Sequence, residues 1–140
     1  MTPRALVLLA ASLGVAWNAF GVVQFVSTLR ADAPQLMMRG MTAAQADVMA
    51  NTPLWMTAAF AVGVFGGLLG CVLLLLKSLA RPLFAASLVG YVALFIGDIT
   101  EGVFAVFGAP QVAVLTFVVV VAAALWATSR FADRRGLVSA

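Results

Sequence analysis

Polar and charged residues along this chain are gathered into short clusters, and long apolar runs lie between them. Four runs stand out, at 5–29, 53–76, 82–107 and 110–130. The first two carry no charge, the third none until Asp98, and the fourth none before its closing Arg130. A bilayer core is crossed by about 20 mostly apolar residues in a helix, so each run reads as a membrane span. Pro53, Pro82 and Pro110 open three of them, at the one helical position where a missing backbone N–H costs nothing. The first run is longer than the roughly 7–15 apolar residues of a signal peptide, and Trp17 and Asn18 stand where a cleavage site would fall. It reads as a retained helix.

The connections are unequal. Lys77 to Arg81 is a tight basic turn and Phe107 to Pro110 a tight uncharged one. Residues 30–52 are longer and more polar. There Thr42 and Gln45 form a T-x-x-Q capping box, which predicts a short interfacial helix over 43–50 between spans 1 and 2. Ala33-Pro34 is expected to break the chain before it. The fold class expected is therefore all-α, a four-transmembrane-helix bundle in one integral membrane domain covering 1–140.

Composition narrows the class further. Hydrophobic residues make up 64% of the 140 and charged residues only 9%, against about 25% charged in a soluble domain. The chain has no histidine and one cysteine, Cys71, so neither a disulfide within the chain nor a histidine-based metal or haem centre is expected. Walker A, H-E-x-x-H and G-x-S-x-G patterns are all missing, and no enzyme, cofactor or metal is expected. The net charge of +3 comes from basic residues that flank the runs, which speaks for lipid headgroups and topology rather than nucleic acid. With the N-terminus inside, Arg4, Lys77, Arg81, Arg130, Arg134 and Arg135 are cytoplasmic, and only Arg30 and Arg39 face out. That bias predicts both termini in the cytoplasm.

A few residues inside the runs need protein around them. On span 1, Gly14, Asn18, Gly21 and Phe25 share a stripe, with Trp17, Gln24 and Thr28 beside it. An amide in hydrocarbon requires partners, so Asn18 is either a hydrogen bond between helices or a ligand contact. On span 2, Gly63, Gly66, Gly67 and Gly70 make two overlapping G-x-x-x-G pairs, which predict close helix packing within the monomer or at a dimer seam. On span 3, Asp98 and Glu101 are three positions apart and share a face that Tyr91, Leu94 and Ser87 extend inward. If that span is centred near Leu94, the two acids sit roughly 6 and 10 Å from the midplane. They read as a proton, cation or polar-solute site, or as ion-pair partners of Arg30 or Arg39. Asp98, Glu101, Asn18, Gln24 and Tyr91 are thus the candidate polar site. Span 4 offers only Gln111, Thr116 and the closing Trp126-Ala-Thr-Ser, and reads as a lipid-facing wall or a partner surface.

Several strings together suggest a family. Trp17-Asn18-x-x-Gly21-x-x-Gln24-Phe25 is followed by Met41-Thr42-x-x-Gln45. Then come Pro53-x-Trp55-x-Thr57-Ala58-Ala59-Phe60-Ala61 and Gly66-Gly67-x-x-Gly70. Over nearly its whole length the chain resembles small four-helix proteins of bacterial inner membranes, often labelled sugar transporters. The resemblance implies an inner-membrane location and a sugar-like solute, and it brings no site residues with it. Two function classes follow: a small carrier acting as a homo-oligomer, or an accessory subunit packed against a larger membrane complex.

Overall fold

The structure, a computed structural model, describes residues 1–139. Among them the chain forms seven helices: α1 (Pro3–Leu29), α2 (Ala33–Met38), α3 (Ala43–Ala50), α4 (Leu54–Leu75), α5 (Arg81–Thr100), α6 (Val103–Phe107) and α7 (Ala109–Arg134). Four of these, α1, α4, α5 and α7, are long and apolar enough to cross a membrane. They form an antiparallel four-helix bundle. Both described chain ends and the α4–α5 turn lie at one end, called here the near end. The α1–α4 connection and α6 lie at the far end.

Helix starts follow the expected chemistry. Thr2 caps α1 by accepting from the Ala5 amide at 3.2 Å, and proline occupies the first turn of α1, α5 and α7. The Thr42–Gln45 capping box forms reciprocally at α3. Two expectations fail for local reasons. Pro34 does not break the chain. It sits in the first turn of α2, where Asp32 accepts from the Gln35 amide at 2.9 Å. Proline there does what it does at the start of α5 and α7.

The expected third span over 82–107 is two helices. α5 stops at Thr100, and Gly102 takes a left-handed φ of 78°, a backbone state that ends helices and suits glycine. The twenty residues of α5 already rise about 30 Å, which is a full hydrocarbon thickness. The short α6 then turns back along the far end, against α3. The fourth span also runs past 130. Its last turn carries Asp133, which pairs with Arg81 at 3.3 Å and ties α7 to the start of α5.

Around the ring the order is α1, α4, α5, α7. The α4–α5 interface is the most extensive and the α1–α7 seam is the thinnest. Near the terminal end Val7, Ala11, Cys71, Leu74, Phe84 and Leu125 form one buried cluster. Phe25, Val64, Tyr91 and Ala122 form a second, higher in the bundle. Leu13, Leu69, Val89 and Ile96 point outward and are exposed, an apolar belt suited to lipid.

The glycines of α4 are occupied within the chain. A side chain at Gly63 would run into the Tyr91 ring, one at Gly66 into α5 near Leu83 and Ser87, and one at Gly70 into Phe84. Gly67 receives the Asn18 amide of α1. α4 is thus pressed by α5 on one side and α1 on the other. Ser87 reinforces the contact by donating to the Gly63 carbonyl at 2.6 Å. The close approach that G-x-x-x-G permits is made inside the monomer, not held open for a second copy.

Candidate functional site

In their far halves the four spans enclose a cavity of about 440 Å³. It begins near mid-bundle at Trp17, Val64, Tyr91 and Val118, and it ends beneath Met49, Ala50 and Thr52 of the α3–α4 connection. Phe20 and Gln24 on α1 and Val114 on α7 are rim residues and are exposed, so the cavity is open along the thin α1–α7 seam. Below it the seam is closed by Trp17 against Phe117, edge to face at 5.3 Å between ring centres. The cavity therefore lies above that contact, on the side of the bundle where α1 and α7 pack least.

Its walls are mainly apolar and aromatic. Phe25 and Phe60 meet edge to face at 5.4 Å and form a continuous surface between α1 and α4. Polar groups enter at a few points: Gln24 and Thr28 from α1, Thr57 from α4, Tyr91 and Asp98 from α5, and Gln111 from α7. Asp98 is the most enclosed of the charged groups, 4% exposed. Its Oδ2 accepts from the Gln111 amide at 3.1 Å, across the α5–α7 interface.

The structure divides the candidate residues. Asp98, Gln24 and Tyr91 line the cavity. Asn18 does not line it. It lies one turn deeper, 2% exposed, donates to the Gly14 carbonyl at 2.8 Å, and contacts the Cys71 sulfur at 3.9 Å. Its amide fills the notch at Gly67, so it joins α1 to α4.

Glu101 is exposed and separate from Asp98, because α5 ends between them and Glu101 caps the last turn. It borders a smaller pocket of about 180 Å³, with Asp47 and Asn51 on the far surface. The expected ion pairs with Arg30 or Arg39 are not formed. Arg39 donates to the Ser27 hydroxyl at 3.0 Å, and the one ion pair among the described residues is Arg81–Asp133 at the opposite end.

One site residue escaped the sequence reading. The sequence marks Gln111 only as a polar residue of a helix that reads as a lipid-facing wall or a partner surface, yet its side chain turns inward to Asp98. The signal was its position: a lone amide in the first turn of an otherwise apolar helix, at the level where Asp98 also lies. No family model, curated protein or solved structure matches this chain.

Proposed function

We propose that this small multi-pass membrane protein is a carrier of the bacterial inner membrane and that the far-half cavity is its binding site. The observation that carries the reading is a chamber of ligand size, about 440 Å³, set among the spans with a buried carboxylate in its wall. Small-molecule sites are typically chambers of roughly 300–1,000 Å³, mostly apolar, with few polar groups to orient the solute. A bundle that existed only to pack would have closed this space.

The resemblance implies a sugar-like solute. The cavity favours a less polar one. A sugar carries hydroxyls around its whole rim, and each one buried without a partner is costly. Here Leu94, Met56, Val64, Leu115 and Val118 occupy much of the wall and offer none. The reading is therefore a solute with an apolar body and one polar head. A homo-oligomer fits this role, because the α1–α7 opening leaves the chamber incomplete on one side.

The test is uptake into proteoliposomes of labelled solutes, from monosaccharides to amphipathic amines. Thr57→Phe fills the cavity from α4 and leaves Asp98 itself unaltered. It is expected to lower uptake roughly ten-fold or more, because the ring takes the solute's place, with folded yield unchanged. Undiminished uptake in that variant would move the site elsewhere. The accessory-subunit reading is favoured by the outward stripe of Val114, Phe117 and Val120 on α7. Native mass after gentle extraction separates the two: a homo-oligomer supports a carrier, and a fixed larger partner a subunit.

The positive-charge bias supports a cytoplasmic near end. Cys71 is buried and is replaced by alanine for labelling. In that background a cysteine at Ala44, exposed on α3, is expected to react with an impermeant maleimide added to intact cells. One at Leu79, in the α4–α5 turn, is expected to react only after lysis. The opposite pattern reverses the topology.

A further inference from the structure

Asp98 is a buried carboxylate with no cationic partner. The group that reaches it, the Gln111 amide, is neutral, so it satisfies one oxygen and supplies no counter-charge. No lysine or arginine lines the cavity. At the far end Arg39 is held by Ser27, and the Arg81–Asp133 pair lies at the other end of the bundle. Ionisable side chains inside a membrane are ordinarily paired with one another or with backbone, or they mark the path of a substrate or ion. Asp98 has the second character.

The rest of the chamber narrows the partner. An inorganic cation is held by several oxygens in one shell, and no group of three or more His, Cys, Asp or Glu side chains is present among the described residues to supply it. Aromatic faces, by contrast, are plentiful. Trp17 and Phe25 from α1, Phe60 from α4 and Tyr91 from α5 surround the space below Asp98. Aromatic faces attract cations and pack equally well on an apolar body.

We propose that the cavity takes a monovalent organic cation with an apolar body, its head at Asp98 and its body against Trp17, Phe25 and Phe60. The inference rests on the carrier reading and specifies its substrate class. A free hydrophobic amine and the ammonium of a lipid headgroup share this chemistry.

The experiment uses the full chain in nonionic detergent and two probes of the same shape. Benzyltrimethylammonium carries the charge, and neopentylbenzene replaces its nitrogen with carbon and carries none. Binding is read by tryptophan fluorescence, to which Trp17 in the wall contributes. The cation is expected to bind at least about ten-fold more tightly than its neutral counterpart. Asp98→Asn keeps an acceptor for Gln111 but loses the charge, and it is expected to abolish the difference. Glu101→Gln, outside the cavity, is expected to preserve it.

Competition by dihexanoylphosphatidylcholine would assign the cation to a lipid headgroup, and indifference to that lipid would assign it to a free solute. Either result upholds the inference. Equal affinity of the two probes for the unaltered protein would overturn it, as would a difference that survives in Asp98→Asn. If neither probe binds while Thr57→Phe still blocks uptake, the cation class is wrong and the carrier reading stands. If neither probe binds and Thr57→Phe has no effect, both fall.

Discussion

Gly90→Ala is expected to lower the thermal unfolding midpoint of the purified protein more than any other single-methyl change in the spans. Gly90 lies where α5 crosses α4. A Cβ there would stand 2.7 Å from the Ala59 carbonyl oxygen and 2.9 Å from the Gly63 amide nitrogen. Both are backbone atoms in the middle of a helix, so no rotamer change can make room. The two helices would have to separate, and the Ser87 bond to the Gly63 carbonyl would lengthen with them. Overpacking of a filled core typically costs about 1–3 kcal/mol, and a clash with fixed backbone belongs at the upper end. Val89→Ala, on the exposed neighbour, is the control and is expected to change little. Unfolding of the two variants in detergent, followed by circular dichroism, gives the comparison. Equal midpoints would mean that α4 and α5 do not approach as described.

The second large effect is a coupling. Asn18→Ala removes a buried amide, and Gly67→Ala pushes a methyl into that same amide. Each change alone is expected to destabilise the bundle, by roughly 1–3 kcal/mol. Together they are expected to cost clearly less than the sum, because the methyl at position 67 enters the space that Asn18 leaves. Contacting residues commonly show interaction energies of about 0.5–3 kcal/mol, which is large enough to measure in a double-mutant cycle. Strict additivity of the two losses would place Asn18 away from α4.

These two sites differ in how well the sequence announced them. Asn18 and Gly67 stand out because a polar residue in an apolar run and a G-x-x-x-G spacing are both patterns along one helix. Gly90 has no such companion, and its importance arises only where two helices cross. The same distinction runs through the rest of the fold. The spans were legible because lipid imposes its requirement residue by residue. The stop at Gly102 was not, since a glycine in an apolar stretch can serve either as packing residue or as terminator. Pro34 is ambiguous along the chain because a helix start and a chain break use the same residue. Asp98 was legible as a buried acid, but its separation from Glu101 depends on where α5 ends. The cavity was not legible at all. It depends on the thin packing between the first and last spans, whose relation no local pattern records.

That thin packing also bears on how the molecule breathes. The α4–α5 hairpin is local in sequence, closely packed and cross-linked by a hydrogen bond, which are the attributes of a unit that opens only with global unfolding. The joint between α1 and α7 brings together the segments most distant along the chain and is the least packed. Fluctuations of low cost are concentrated at such joints. Widening it at the far end enlarges the mouth of the chamber without disturbing the glycine-lined crossing that holds the protein together. Rigidity and access are thus assigned to opposite sides of one small bundle.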